Sequence, residues 1–167
     1  MNAPASHIEP ATTKPGTTPA TVIAASGLGL TFQTNDGPVH ALSDVDLAID
    51  RGEFVSFIGP SGCGKTTFLR VIADLEQPTQ GTIHVNGMTP QAAREARAYG
   101  YVFQAAGLFP WRTIERNVAL PLEIMGYPRA EVRERIARTL SLVNLSGFEK
   151  KFPWQLSGGM QQRASIA

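Results

Sequence analysis

Apolar and polar residues along the chain fall into segments of two different periods. Val45, Leu47 and Ile49 alternate with Asp46, Ala48 and Asp50, the period-two pattern of a half-buried strand. Upstream, Val22–Phe32 is apolar enough for a strand, although Gly27 and Gly29 interrupt it. After an Arg51-Gly52 turn comes Phe54-Val55-Ser56-Phe57-Ile58, a nearly continuous apolar run bounded by glycines. Such a run predicts a strand buried on both faces, as in a parallel sheet. The period then changes. Phe68, Leu69, Ile72 and Leu75 mark one face of a helix that Gln77-Pro78 should stop. Thr82–Val85 reads as a short strand ended by the turn pair Asn86-Gly87, and Tyr99–Gln104 as another. Thr113 is placed to cap a helix beginning at Ile114, which Gly126-Tyr127-Pro128 breaks. Arg129–Val143 is the clearest amphipathic helix, with Val132, Ile136, Leu140 and Val143 as its buried stripe. Glu131–Arg135 and Glu134–Arg138 are its i,i+4 pairs. From Val22 onward the pattern is that of a folded α/β domain.

Composition narrows the class. The 167 residues suffice for one ordinary domain but not comfortably for two. Hydrophobic residues make up 43%, which excludes a disordered chain. A net charge of +1 leaves no basic field for holding nucleic acid nonspecifically. No apolar run approaches the roughly 18 residues of a membrane span, so a membrane role has to come through a partner. The single cysteine, Cys63, excludes an internal disulfide and suits a reducing compartment. Met1–Thr21 holds Pro4, Pro10, Pro15 and Pro19 among Ala and Thr, without the apolar core of a secretory signal. It is expected to be a disordered Pro/Thr/Ala-rich tail over 1–21. His7, His40 and His84 show no metal-ligand spacing.

The chemistry concentrates at Gly59-Pro60-Ser61-Gly62-Cys63-Gly64-Lys65-Thr66, followed by Thr67. This is G-x-x-x-x-G-K-[ST] between a predicted buried strand and a predicted helix, the context that gives the pattern its meaning. The glycines permit positive φ, so successive N–H groups can turn inward around a phosphate. The helix that follows adds its positive end. Lys65 can reach the β- and γ-phosphates, and the Thr66 hydroxyl can ligate Mg²⁺. Cys63 stands at a free position of the pattern, where packing is the expected role. A second candidate anion site lies at Ser157-Gly158-Gly159, just before a plausible helix beginning near Met160.

Together these motifs resemble the ATPase subunits of ABC transporters over about Val22 to Ala167. Gly59–Thr66 looks like the Walker A loop. Leu156-Ser157-Gly158-Gly159-Met160-Gln161-Gln162 is similar to the ABC signature, and Gln104 matches the Q-loop glutamine. Phe32 matches the aromatic that stacks on adenine, where Tyr is usual. The resemblance implies a P-loop nucleotide-binding fold with a nucleotide-binding core over 22–104 and a helical subdomain with the signature over about 105–160. It implies ATP and Mg²⁺ as ligands, with Gln104 beside Thr66 as a Mg²⁺ ligand and as the hinge sensing the membrane partner. It implies a head-to-tail pair of ATPase subunits in which residues 156–161 of one close on the ATP of the other. It further implies permease subunits at the cytoplasmic face of the membrane, a solute-binding protein acting indirectly, and no nucleic-acid partner.

Phe103-Gln104 and Leu108-Phe109-Pro110-Trp111-Arg112-Thr113 look most like the nitrate/sulfonate/taurine group of importers. Phe109-Pro110-Trp111 reads either as core or turn packing or as a surface facing the transporter. The family's Walker B Asp, catalytic Glu and switch His have no counterpart in the 167 residues, so no catalytic residue is assigned. A C-terminally incomplete ATPase domain, inactive by itself, is the expectation. Further departures are Asp74 where Gly is usual and Trp154 where His is common. The alternatives are another P-loop NTPase, a GTPase or small-molecule kinase, or a non-transport ABC protein. Asn-Lys-x-Asp, which reads guanine, does not occur here, and a kinase has no need of Leu-Ser-Gly-Gly.

Overall fold

The computed structural model describes residues 21–167, so the predicted tail over 1–20 lies outside the described residues. Thr21 does not belong to that tail. It opens β1 (Thr21–Thr34), pairs with Asp50, and donates its hydroxyl to the Asp50 carboxylate at 2.9 Å. Two compact units divide at Tyr99 and Gly100.

In the first unit β1 is the centre of a three-stranded antiparallel sheet, flanked by β2 (Gly37–Asp50) and β3 (Gln80–Val85) in the order β2-β1-β3. The alternating segment from Val45 is only the second half of β2. Its first half returns from the Thr34–Gly37 turn to pair with the end of β1. The interruptions by Gly27 and Gly29 become register shifts between Ala25 and Leu30, and the Gly27 N–H (φ 55°) donates to the Asp46 carboxylate at 2.8 Å. Gly81 is fixed by close approach: it has φ 72°, and a Cβ there would overlap the carbonyl of Gly27 on the neighbouring strand.

Helix α1 (Lys65–Ile72) lays Phe68 and Val71 on this sheet against Leu28, Leu30, Leu42 and Ile83. Fully burying such side chains contributes about 1.5–3 kcal/mol each. The face differs from the predicted one, because Leu69 and Leu75 are exposed and Val71 is buried. The helix also ends five residues before Gln77. Asp74 takes φ 51° just past its end, a conformation Gly adopts more easily. The Asp74 carboxylate accepts hydrogen bonds from Arg94 Nε at 2.8 Å and Gln77 Nε2 at 2.6 Å. Arg94 lies on α2 (Pro90–Glu95), whose N-terminus Thr89 caps.

The Arg94 hydrogen bond holds the Asp74 carboxyl below its ordinary range; burial opposes this and the Gln77 bond assists it. A carboxyl whose pKa is lowered by folding stabilises above its unfolded value and loses that contribution as pH falls through the folded one. The wild type should therefore melt above Asp74→Asn at neutral pH, and the gap should close below about pH 4. A gap that stays constant across a pH series of melting curves would rule this ion pair out as its source.

Two predicted strands are not strands. Phe54–Ile58 and Tyr99–Gln104 run without regular secondary structure, and Phe54 and Ile58 are 97% and 93% exposed. A strand buried on both faces needs backbone partners on its edges and side chains over its faces. Neither segment has a paired neighbour among the described residues. Phe57 packs inward, edge-on to Phe68 with ring centroids 5.5 Å apart, and Tyr99 donates its hydroxyl to the Ala73 carbonyl at 2.7 Å.

The second unit is helical. α3 (Ile114–Ile124) begins at the predicted cap, with the Thr113 hydroxyl accepting from Arg116 N, and Gly126 at φ 76° ends it. α4 (Arg129–Leu142) buries Leu140 fully, with Ile136 and Val143 packed beside it. Its Glu131–Arg135 pair forms at 2.7 Å, whereas Glu134–Arg138 does not. A 3₁₀ turn (Pro153–Gln155) leads into α5 (Gly158–Ile166), which starts two residues before the predicted Met160. Ile114, Leu140, Leu145, Leu156 and Ala164 form the core of this unit.

Candidate functional site

The loop Gly59–Lys65 enters α1 through two left-handed glycines, Gly62 at φ 81° and Gly64 at φ 92°. Gly64 is required on two counts. Side chains rarely adopt its φ, and a Cβ would lie 2.5 Å from the Ala41 carbonyl oxygen and 3.0 Å from Leu42 Cδ2 of β2. The Lys65 ammonium folds back into the loop, donating to the carbonyls of Gly59 at 2.8 Å and Pro60 at 2.7 Å. Cys63 Sγ accepts from the same ammonium at 3.3 Å. Gly64 is the N-cap of α1 and supplies no side-chain cap, so the positive end of the helix opens onto the loop. A backbone cradle, a helix N-terminus and an ammonium thus converge, which is the chemistry that holds a phosphate chain.

Cys63 does not pack as expected; it is exposed, and its contact is with Lys65. Pro60, Ser61 and Thr66 are exposed, and Thr67 is half-buried. Among the described residues no group of three or more His, Cys, Asp or Glu could hold a metal. The loop offers a cation the hard oxygen of Thr66, the donor type Mg²⁺ prefers when phosphates complete its shell. Phe32 sits near the end of β1 opposite Val39 and is 37% exposed. The same hairpin supplies the Ala41 and Leu42 contacts that dictate Gly64. His40 is explained locally, with Nδ1 2.9 Å from the Thr31 hydroxyl across the strands.

The other candidate residues belong to the second unit. Gln104 is exposed, and the carbonyl of its neighbour Phe103 accepts from Gln162 Nε2 of α5 at 3.3 Å. The six signature residues divide sharply. Leu156 is buried in the unit's own core, and Met160 packs against it. Gln161 turns inward, donating Nε2 to the carbonyls of Pro153 at 2.9 Å and Leu156 at 3.1 Å. Leu156, Met160 and Gln161 therefore shape the signature from within. Ser157, Gly158 and Gly159 are the exposed members. Ser157 caps α5 by accepting from Met160 N, and a Cβ at Gly158 or Gly159 would meet nothing within 4 Å. Nothing in the packing of the described residues requires those two glycines.

One buried polar residue carries no motif that would single it out in the sequence. Asn117 of α3 is buried and bonded on both edges of its amide to the Phe109–Thr113 turn. The available signal was a carboxamide on the helix face that carries the buried Ile114.

The P-loop cradle and the separate Ser-Gly-Gly helix start define the class as ABC-type nucleotide-binding proteins. The family model described as ABC transporter matches residues 42–167, and the chain belongs to that family. It is 45% identical over 136 residues to an uncharacterized ABC transporter ATP-binding protein of Methanocaldococcus jannaschii, covering 81% of this chain and 50% of that protein. It is 50% identical over 128 residues to an Fe(3+) ions import ATP-binding protein of Rhizobium meliloti (74% of this chain, 32% of the relative). A methionine import ATP-binding protein of Symbiobacterium thermophilum is 43% identical over 152 residues (87% and 46%). Among solved structures, the dimeric post-hydrolysis state of the ATP-binding cassette MJ0796 bound to ADP and Pi superposes with a TM-score of 0.78 at 36% identity, covering 86% of this chain and 67% of that one. The chain spans half or less of the length of these curated relatives. Their names, methionine and Fe(3+), do not support the nitrate, sulfonate or taurine subgroup expected from Pro110-Trp111.

Proposed function

We propose that this chain is the nucleotide-holding part of an ATP-hydrolysing subunit that energises uptake of a small solute through an ABC importer. The observation that carries the reading is the Gly59–Thr66 loop, whose glycines are dictated by geometry and whose lysine is already drawn into the cradle. In this reading loop N–H groups and Lys65 bind the phosphates of ATP, and Phe32 offers its ring to the adenine. The Thr66 hydroxyl would hold Mg²⁺, which supplies charge neutralisation on the phosphates. The unit ending at Tyr99 is the nucleotide-binding core, and the unit from Gly100 is the helical subdomain that carries the signature.

Importer names among the relatives, and a dimeric solved neighbour, support two sets of partners. One is a second ATPase subunit, which Ser157, Gly158 and Gly159 approach head to tail. The other is a pair of membrane permease subunits, with a solute-binding protein acting through them. Among the described residues no helix is long and apolar enough to cross a membrane. Attachment at the cytoplasmic face through the permease follows from the reading.

Gly159 tests the signature. With open space around it, Gly159→Ala should leave stability unchanged or raise it by up to about 1 kcal/mol. ATP hydrolysis by the full-length protein should fall by as much as roughly a hundredfold, because a methyl group would stand where a ligand must come close. Unchanged hydrolysis, measured as phosphate release, would remove Gly159 from the site.

A further inference from the structure

The turn that follows β3 is Asn86-Gly87, with φ 51° and 73°, and both residues are exposed. Its frame is held from the flanks. Val85 N donates to the Met88 carbonyl at 2.8 Å, Met88 N donates back to the Val85 carbonyl at 3.0 Å, and Asn86 N donates to the Val22 carbonyl of β1 at 2.7 Å. The tip itself is loosely tied. Among the described residues the Gly87 N–H has no acceptor, and a Cβ at Gly87 would meet nothing within 4 Å. The Asn86 amide makes a single long contact, its Nδ2 donating to the Ala98 carbonyl at 3.4 Å. An unengaged backbone nitrogen thus follows directly on an exposed, weakly held carboxamide, and no side chain at Gly87 hinders their approach. The other asparagines among the described residues lack this combination. Asn144 precedes the buried Leu145, whose N–H donates to the Leu140 carbonyl at 2.8 Å. Asn117 is buried with its successor Val118 inside α3, and Asn35 precedes Asp36, which carries a side chain.

We propose that Asn86 is a modification site, deamidating spontaneously by attack of the Gly87 nitrogen. That nitrogen gives its proton to hydroxide and bonds to the Asn86 side-chain carbonyl carbon. The bond from this carbon to Nδ2 breaks, and Nδ2 takes up a proton and leaves as ammonia. Water then adds to either carbonyl of the resulting succinimide ring, and the C–N bond that breaks there yields aspartate or isoaspartate. Nothing is oxidised or reduced and water is the only co-reactant, so the step needs neither nucleotide nor partner and stands apart from the importer reading. Either product puts a carboxylate where a donor faced the Ala98 carbonyl, which turns an attraction into a repulsion. Isoaspartate also inserts a methylene into the main chain between the paired Val85 and Met88. Ala98 lies next to Tyr99, which anchors this stretch on the C-cap carbonyl of α1, Ala73, at 2.7 Å. The modification therefore loosens a segment attached to the helix that opens at the phosphate loop.

The test incubates the full-length protein, folded, at mildly alkaline pH and follows its asparagine-containing peptides by mass spectrometry. The peptide with Asn86-Gly87 should show the small mass gain of exchanging an amide for an acid, with ammonia released in equal amount. An isoaspartate methyltransferase should label that peptide, while those with Asn35, Asn117 and Asn144 stay unchanged over the same time. The rate should rise with pH, because the attacking nitrogen is an anion. Asn86→Gln, whose longer side chain closes the ring poorly, should abolish the gain; the wild-type measurement stands without it if that variant does not fold. Asn86→Asp, which mimics one product, should speed amide hydrogen exchange over residues 97–99 by roughly twofold or more. An Asn86 peptide that stays unmodified in the folded protein would overturn the proposal, and conversion in urea alone would mean that the turn protects it. Conversion spread evenly over the four asparagines of the described residues would overturn it as well, because the free Gly87 nitrogen would not be its cause. Unchanged exchange in Asn86→Asp would overturn the loosening of the Ala98 segment.

Discussion

Lys65→Ala is expected to abolish ATP binding by the full-length protein while leaving its fold intact. The Lys65 ammonium is held by two loop carbonyls and the Cys63 sulfur, all on a solvent-accessible loop. Losing these exposed contacts costs the folded state little. The loss for binding is large. The loop N–H groups and the α1 N-terminus contribute partial charges, whereas Lys65 is the full positive charge within the loop. ATP at 100 times its dissociation constant should stabilise the wild type by about 2.7 kcal/mol. For a domain of this size that is a rise in melting temperature of roughly 5–10 °C. No such rise is expected in the variant. Equal shifts in both proteins would mean that nucleotide binds elsewhere.

Trp111→Ala should show the converse behaviour, an intact ATP site with failed assembly. Sequence alone left Phe109-Pro110-Trp111 open to two readings, and a core Trp would cost about 3–5 kcal/mol of stability when truncated. With the indole 72% exposed, that penalty is not expected, and the melting temperature should hardly move. The effect should fall on association with the permease, by about 2 kcal/mol or more, which is close to thirtyfold in affinity. Co-purification or titration against the detergent-solubilised permease measures it. Full-strength assembly by the variant would dismiss this turn as the docking site.

Features decided within a few residues are legible in the amino-acid sequence. The Thr113 and Ser157 caps, the Asn86-Gly87 turn (φ 51° and 73°), and the cradle glycines all act through local backbone chemistry. The ABC signature can be recognised for the same reason, as can the break at Gly126. What depends on distant partners cannot be read. Phe54–Ile58 has a strand's composition, but a strand exists only when another backbone pairs with it, and no alternation of residues reports that. The choice of Val71 over Leu69 as a buried residue of α1 is made by where the sheet lies. Gly64 is demanded by Ala41 and Gly81 by Gly27, each across a gap of chain that carries no local signal. The signature is visible as a string, yet its division into an inward half and an outward half is not. Leu156 and Gln161 turn inward because the core and the Pro153 carbonyl are there to receive them, while Gly158 and Gly159 face open space. Residue identity and local spacing carry the chemistry of this chain, and folding selects which of those residues are free to use it, because exposure and hydrogen-bond satisfaction are set by neighbours far away in the chain.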